Sequence, residues 1–284
     1  MKIQIDCIPC LISQAVHIAK MVSTDDAVRY EIIKKTLADA SNMDLSLTPP
    51  EQARLIHQAI KTISKVDDPY LEIKDMSTKF ALELMPDLRK IIENSKNKFE
   101  TIIRFVIAGN IIDFGAIRDF DLNTARERVL EVFDMPIDLT AIKTLEQSMD
   151  KAKKIFYIAD NCGEAVLDRL LIERYSDKIT LGVRGKPIIN DITPREIKAS
   201  KLDIVPYVDT GDMTPGVSLR YSNKEFLDTM NSADLVIAKG QGNYETLNEY
   251  NRPIVFLLRA KCQVITDLIG NIKQGSLQVI PKNI

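Results

Sequence analysis

Residues 155–175 read IFYIADNCGEAVLDRLLIERY. The stretch begins with five residues, IFYIA (155–159), that have the apolar and aromatic character of a buried strand. An acid and an amide, Asp160 and Asn161, follow directly, and a helical pattern, EAVLDRLLIERY (164–175), comes after them. The stretch therefore predicts a strand, a polar turn and a helix, which together form the first half of a β-α-β unit.

The same alternation continues to the end of the chain. Further short apolar runs predict strands at ITLGV (179–183), DIVPYV (203–208), DLVIA (234–238), PIVFLL (253–258) and LQVI (277–280). Helical stretches lie between them at NKEFLDTMNSA (223–233) and NYETLNEY (243–250). Strands that alternate with helices indicate a parallel sheet covered on both faces. We therefore predict an α/β fold with a Rossmann-like, mostly parallel sheet and helices on both faces.

The first 150 residues have a different pattern. Apolar residues recur there at spacings of three and four, which predicts helices at CLISQAVHIAKMVS (10–23), VRYEIIKKTLADAS (28–41), PEQARLIHQAIKTISKV (50–66), MSTKFALELMPDLRKIIENS (76–95) and NKFETIIRFVIAGNIIDFG (97–115). The short run KIQID (2–6) is a candidate strand. We expect a mostly helical region over residues 1–150, followed by a Rossmann-like α/β core over residues 151–284.

Composition excludes several classes of protein. The chain has 284 residues, with 38 Lys and Arg against 40 Asp and Glu, so it lacks the basic excess of a general nucleic-acid binder. It contains no apolar stretch of about 18 residues, so no membrane span is expected, and its first residues do not resemble a signal peptide. Four cysteines in a chain of this length predict a reducing, cytoplasmic setting. The sequence leaves the oligomeric state open.

Polar residues follow each of the first five predicted strands. Because ligands bind outside the carboxyl ends of parallel strands, we expect these side chains to converge in space. In chain order they are Asp160 and Asn161, then Arg184 with Asn190 and Asp191, then Asp209, then Lys239 and Gly240, and finally Arg259 and Lys261.

The chemistry of this set indicates a metal and an anion. Asp160, Asn161 and Asp191 offer hard oxygen ligands, which suit Mg²⁺ or Mn²⁺. Lysines and arginines of the set would neutralise an anion, and the two glycines of KGQGN (239–243) precede a helix whose amino end suits a phosphate. The alternative is structural: an Asp-Asn pair after a strand often forms only a turn or a helix N-cap, and Gly-x-Gly is often a simple turn.

Seven motifs in one order resemble the damage-control phosphatase family, formerly domain of unknown function 89. They are Cys7-x-x-Cys10, AGNIIDFG (108–115), DNCGE (160–164), KPIINDIT (186–193), GDMTPG (211–216), KGQGNYE (239–245) and RAKC (259–262). The Cys-x-x-Cys start resembles that of the shorter archaeal members. The resemblance covers nearly the whole chain and implies a metal-dependent phosphatase that acts on small phosphorylated metabolites, such as sugar phosphates and damaged phosphate esters.

The resemblance also implies roles for individual residues. Asp160, Asn161 and Asp191 would bind the divalent metal, which is Mg²⁺, Mn²⁺, Co²⁺ or Ni²⁺. Lys239 would bind the phosphate, and Asn110 and Asp113 would lean over the pocket from the helical region. We expect the phosphate-binding set to be Lys239, Gly240, Asn110, Asn190 and Arg184. Asp113, Asp191 and Glu164 are three candidates for orienting or deprotonating the attacking water, although Glu164 also suits the first turn of a helix for purely electrostatic reasons.

Rival functions are less well supported. A haloacid-dehalogenase-type phosphatase needs Asp-x-Asp after the first strand, and a dinucleotide-binding oxidoreductase needs Gly-x-Gly-x-x-Gly there. DNCGEA (160–165) supplies neither. An S-adenosylmethionine-dependent methyltransferase stays open as an alternative, as does a non-catalytic protein that binds a metabolite through a metal.

The early cysteines have several explanations. Cys7 and Cys10 are three residues apart, so on a helix they share a face. Packing of buried thiols is the expected role, because free cysteine is commonly buried. The alternatives are an accessory metal site, with Cys262 as a third ligand, and an oxidation-sensitive clip.

Overall fold

The computed structural model describes residues 1–109, 127, 129–270 and 272–284. Six strands form one sheet in the order β3-β2-β1-β4-β5-β6. They are β1 (Ile155–Ile158), β2 (Ile179–Val183), β3 (Tyr207–Asp209), β4 (Leu235–Lys239), β5 (Ile254–Arg259) and β6 (Leu277–Lys282). All neighbouring pairs are parallel except β5 and β6, which are antiparallel. The predicted α/β class with a mostly parallel sheet is confirmed.

Ten α-helices accompany the sheet within the described residues. Six precede it: α1 (Cys7–Val22), α2 (Asp26–Ser41), α3 (Pro49–Ser64), α4 (Leu71–Asn94), α5 (Lys98–Ala108) and α6 (Leu139–Lys151). Four lie between strands: α7 (Cys162–Ile172), α8 (Lys224–Ser232), α9 (Gly240–Leu247) and α10 (Gln263–Ile269). None of the helices in the described ranges is long and apolar enough to cross a membrane.

The sheet is buried on both faces, as parallel strands require. Alternate residues of β1 point to opposite sides: Ile155 and Tyr157 belong to one buried apolar cluster, whereas Phe156 and Ile158 belong to another. The first cluster also contains residues of α4, α5, α6 and α7, and the second contains residues of α8 and α9. Helices α1, α2 and α3 form a third cluster. The helical region therefore contributes both a separate small core and one layer of the main core.

Two predicted strands differ in the structure. DIVPYV (203–208) becomes a strand only at Tyr207–Asp209, because Pro206 has no N–H group to donate to a neighbouring strand. The backbone bends before it, where the Val205 N–H donates to the Leu202 carbonyl. KIQID (2–6) is not a strand; the Ile3 N–H makes a single bond to the Leu47 carbonyl instead.

Candidate active site at the carboxyl edge of the sheet

The order of the strands reverses beside β1. The chain passes from β1 to β2 on one side, whereas β4, on the other side of β1, leads away to β5. Such a reversal leaves an opening at the carboxyl ends of the two central strands. Asp160 and Asn161 come two and three residues after β1 ends at Ile158, and Lys239 is the last residue of β4. The polar residues predicted at these strand ends are therefore neighbours.

Backbone hydrogen bonds bring the loop after β2 to the same place. The Ile192 N–H donates to the Asp160 carbonyl, and the Cys162 N–H donates to the Asn190 carbonyl, both over 2.9 Å. Asn161 and Asp191 consequently form an isolated antiparallel bridge. Main-chain pairing thus brings Asp191 next to Asp160 and Asn161, although it lies about 30 residues further along the chain.

Asn161 is the N-cap residue of α7, yet its side chain makes no capping hydrogen bond. Its amide Nδ2 instead donates to Asp160 Oδ2 and to Glu164 Oε2, each at 3.1 Å. The Asp-Asn pair therefore does not form the side-chain cap that was the structural alternative. Its side chains belong to a polar cluster at the strand ends.

Arg184 contacts the carboxylates of Asp160 and Asp191 in this cluster. The side chain is fully buried, its Nε donates to Asp191 Oδ2 at 2.8 Å, and its Nη2 lies 3.7 Å from Asp160 Oδ1. Nη2 also donates to Asn243 Oδ1 at 3.1 Å. We expected Arg184 to bind phosphate; the structure differs, because its charge is directed at the two carboxylates.

Lys239 lies at the predicted strand end, but its side chain has a different direction from the expected one. Its ammonium is fully buried and donates to Glu164 Oε1 at 2.5 Å, to Asp168 Oδ1 at 2.6 Å and to the Val106 carbonyl at 2.8 Å. The direction follows from the strand, since Leu235, Ile237 and Lys239 alternate onto the face covered by α5 and α7. Lys239 is therefore buried with three protein acceptors, and this arrangement does not provide the predicted contact with a phosphate.

Asp168 is a member of this polar cluster that the sequence prediction missed. It is fully buried on α7, one turn after Glu164. Residues four apart share a helix face, so an acid inside an otherwise apolar helical stretch, four residues after another acid, was a usable signal for a buried cation. Burial raises the pKa of the Asp168 carboxyl to about 7, against the effect of the adjacent Lys239.

The net charge of the cluster suits a divalent cation. Burial raises the pKa of Asp160 well above its usual range, and the charges of Asp191 and Glu164 raise it further, whereas Arg184 and Lys261 act in the opposite direction. Burial also raises the pKa of Asp191, against the effect of Arg184. When all are ionised, the four buried carboxylates (Asp160, Glu164, Asp168 and Asp191) exceed the two buried cations (Arg184 and Lys239) by two charges. Hard oxygens with this excess of negative charge fit a divalent ion.

Gly240 and Lys261 lie on the other side of Asp160. Gly240 has φ of +76°, and a Cβ atom there would lie 1.9 Å from Asp160 Oδ2, so only glycine lets the amino end of α9 approach the carboxylate this closely. Lys261 is exposed, and its charge acts on Asp160. Among the cations whose charge acts on Asp160, Lys261 is the exposed one and Arg184 the buried one.

Other predicted residues have simpler outcomes. Asn190 is partly buried and contributes its backbone carbonyl. Asn110 and Asp113 lie outside the described residues. The GDMTPG loop (211–216) is held against α3, because Arg54 Nε donates to Asp212 Oδ1 at 2.7 Å.

The cysteines are all free within the described residues. Cys162 is buried, Cys7 and Cys262 are partly buried, and Cys10 is exposed, so the expected burial does not hold for Cys10. Burial nevertheless raises the pKa of Cys10, and the charge of Cys262 raises it further. Within the described ranges, no three or more His, Cys, Asp or Glu side chains are grouped in a way that would hold a metal.

Comparison with known proteins identifies the family. Residues 3–277 match the model of the damage-control phosphatase ARMT1-like domain. An uncharacterized protein of Methanocaldococcus jannaschii is 36% identical over 95% of this chain and 92% of its own. A damage-control phosphatase of Pyrococcus horikoshii is 32% identical over 93% of both chains, and one of Archaeoglobus fulgidus is 31% identical over 95% of this chain and 96% of its own.

The fold agrees with this match. The crystal structure of a DUF89 family protein from Pyrococcus horikoshii superposes with a TM-score of 0.87 at 31% identity, covering 98% of each chain. The match extends over the helical region as well as the sheet, so it includes every element that surrounds the candidate site. The chain belongs to the ARMT1-like damage-control phosphatase family.

Proposed function

We propose that this protein is a divalent-metal-dependent phosphatase that hydrolyses small phosphorylated metabolites, such as sugar phosphates, in metabolite damage control. Its relatives in Pyrococcus and Archaeoglobus carry the name damage-control phosphatase. The observation that carries the proposal is the proximity of Asp160, Asn161 and Asp191 at the carboxyl edge of the sheet, in a cluster that has two excess negative charges when all its carboxylates are ionised.

Asp160, Asn161 and Asp191 would hold the metal, which we expect to be Mg²⁺, Mn²⁺, Co²⁺ or Ni²⁺. A divalent ion bound there would polarise a phosphoryl oxygen and activate a water molecule. The buried Arg184 guanidinium holds the two carboxylates, since it bonds Asp191 and lies 3.7 Å from Asp160. The hydrogen bonds to Arg184 and Asn161 would limit the orientations of these ligand oxygens before an ion binds.

The phosphate would lie against the amino end of α9. Gly240 brings that helix end next to Asp160, and the free N–H groups and the dipole of a helix terminus favour an anion there. Lys261 is exposed and acts on Asp160, so we assign to Lys261 the cationic contact with phosphate that the sequence had suggested for Lys239. Asn110 and Asp113 keep the covering roles implied by the family resemblance.

The test is release of inorganic phosphate by the purified protein from a panel of sugar phosphates, with Mg²⁺, Mn²⁺, Co²⁺ or Ni²⁺ added separately. Asp160→Asn and Asp191→Asn should each lose most of the metal-dependent rate. Asp203→Asn is the matched control, because Asp203 is an exposed loop carboxylate. If the wild type releases phosphate no faster than the two site variants with every metal, the proposal is wrong.

Metal binding without phosphate release from any ester would instead favour a non-catalytic, metal-dependent binding protein. Equilibrium binding of Mn²⁺ to the wild type, measured beside the assay, separates that function from the enzyme.

A further inference from the structure

The side-chain amide of Asn161 lies between two carboxylates. Its Nδ2 donates to Asp160 Oδ2 and to Glu164 Oε2. An ionised carboxylate only accepts hydrogen bonds, so the amide nitrogen must be the atom that faces both of them. The amide oxygen Oδ1 is then turned to the other side. Because Oδ1 is the atom that a hard cation requires, these two carboxylates decide which end of Asn161 is offered to a metal.

Glu164 is itself held in place by Lys239. Glu164 Oε1 accepts from Lys239 Nζ at 2.5 Å, while Oε2 accepts from Asn161. The Lys239 ammonium has three N–H groups, and they meet Glu164, Asp168 and the Val106 carbonyl. The side chains of Lys239, Glu164 and Asp168 are at most 1% exposed. Lys239 therefore has one acceptor for each donor, all of them within the protein.

The lysine also makes the paired acids possible. Glu164 and Asp168 lie one turn apart on the same face of α7, where two buried carboxylates would repel each other. An ammonium bonded to both offsets that repulsion and fixes both side chains. Asp168 therefore supports Glu164 indirectly. It holds the Lys239 ammonium, and the ammonium in turn holds Glu164 in one orientation.

We infer that Lys239 is a positioning residue that, together with Asp168, holds Glu164 so that Glu164 orients the amide of Asn161 toward the metal. The inference rests on the proposed metal-dependent function. It assigns Lys239 an action through two other residues and no contact with the substrate.

Mn²⁺ binding, measured by titration calorimetry without substrate, provides the test. We expect Lys239→Met to bind Mn²⁺ roughly 10- to 100-fold more weakly than the wild type, the usual loss when the partner of a metal ligand is removed. The direction is diagnostic, because removing a nearby positive charge would by itself tighten the binding of a cation. Weaker binding must then come from lost positioning.

Two further variants complete the design. Glu164→Gln keeps the shape of the side chain, but once its amide oxygen accepts from Lys239, its NH₂ group faces the NH₂ group of Asn161. We expect weaker Mn²⁺ binding here as well, and this variant decides the question if Lys239→Met does not fold. Arg104→Met is the control: Arg104 is another buried cation, bonded to the Val132 and Met135 carbonyls, and its loss should leave the Mn²⁺ affinity unchanged.

Two results would overturn the inference alone. If Lys239→Met or Glu164→Gln binds Mn²⁺ as tightly as the wild type and only the melting temperature falls, Lys239 has a merely structural role. If Mn²⁺ affinity is unchanged but the KM for the phosphate ester rises, Lys239 contacts the substrate. A wild type that binds no Mn²⁺ would contradict the proposed metal dependence itself, and this inference with it.

Discussion

At the scale of single residues, Gly240 joins β4 to α9 with φ of +76° and leaves no space for a side chain beside Asp160. We predict that Gly240→Ala lowers metal-dependent phosphatase activity by roughly 10- to 100-fold, the range found when the surroundings of a metal ligand are disturbed. The added methyl group must displace either the Asp160 carboxylate or the start of α9. The measurement is the initial rate at saturating Mn²⁺.

Gly270→Ala is the matched control for this change. Gly270 also has a positive φ, of +130°, but nothing lies within 4 Å of the position of a Cβ atom there. Both variants carry a backbone strain of about 1–3 kcal/mol, so both should unfold more easily. Only Gly240→Ala should lose activity beyond its loss of folded protein, and equal losses in the two variants would contradict the role given to the contact with Asp160.

Glu245 provides a prediction about pH. Burial raises its pKa to about 7 from an ordinary value of 4.5. The folded protein therefore keeps this proton between those pH values while the unfolded chain has lost it, so this carboxyl makes the protein less stable as the pH rises from 4.5 to 7. The full cost above pH 7 is about 3 kcal/mol.

Glu245→Gln removes that cost. The amide oxygen still accepts from Gln241 Nε2, which bonds Glu245 Oε1 at 2.8 Å in the wild type. We expect the variant to be more stable than the wild type at pH 8 and nearly equal to it at pH 5, measured as the free energy of unfolding by urea titration. A gain that is the same at both pH values would show that the buried charge is not its cause.

Individual site residues were predictable from the sequence to different degrees. The proximity of Asp160, Asn161 and Asp191 was predictable because they follow strands, and strand ends meet at one edge of the sheet. The position of Lys239 was predicted but its direction was not, although alternation along β4 already turned it toward α7. Asp168 was missed because an acid on a helix is usually solvated, and the structure shows that it is buried and bonded to Lys239.

At the scale of elements, α3 holds the loop that contains residues 211–216. Arg54 bonds Asp212 and lies 4.4 Å from the centre of the Tyr221 ring, and Glu51 Oε1 accepts from Ser218 Oγ at 2.6 Å. Asp212 is buried, so removing Arg54 leaves its carboxylate without this cationic partner, although the hydrogen bonds from Thr214 remain. We predict that Arg54→Met destabilises the protein by about 1–3 kcal/mol and speeds amide hydrogen exchange over residues 210–218.

Lys224→Met is the comparison for this prediction. Lys224 pairs with Asp228 on α8, where both side chains are exposed, and such solvent-screened pairs contribute little to stability. Its loss should leave exchange in the loop unchanged. Unchanged exchange over residues 210–218 in Arg54→Met as well would mean that α3 does not hold the loop.

Most elements could be predicted from the sequence, because hydrophobic period distinguishes strands from helices. ITLGV (179–183) matches β2 residue for residue, and β1, β4 and β5 each differ from prediction by one residue at one or both ends. DIVPYV (203–208) was predicted too long because apolar content outweighed the effect of Pro206. KIQID (2–6) alternates like a strand but has no neighbouring strand to pair with in the described residues.

At the scale of the whole molecule, the change of pattern near residue 150 does not separate the hydrophobic cores. The largest apolar cluster joins Phe105, Val106 and Ile107 of α5 to Leu167 of α7 and Val255 of β5. We predict that residues 151–284, expressed alone, do not fold cooperatively, because the face of the sheet that α5 covers would be exposed to water. A sigmoidal urea transition and a dispersed NMR spectrum from that fragment would contradict this.

The arrangement of the elements was harder to predict than their existence. Local pattern identifies strands, but the order β3-β2-β1-β4-β5-β6 depends on contacts between residues far apart in the chain. The antiparallel direction of β6 is one example, since the apolar residues of LQVI (277–280) would suit a parallel strand equally well. The covering of one face by α5 is another, because an apolar helix such as NKFETIIRFVIA (97–108) does not show in its sequence which surface it meets.

The two borders of the sheet make it a poor template for another chain. Its outer strands are β3, with only three residues, and β6, which contains Pro281 and Lys282. A short strand offers few groups for lateral pairing, proline lacks a donor, and lysine resists desolvation. The unfolded segments of a neighbouring molecule should therefore gain little by adding to either side, which would limit aggregation while the parallel strands are still assembling.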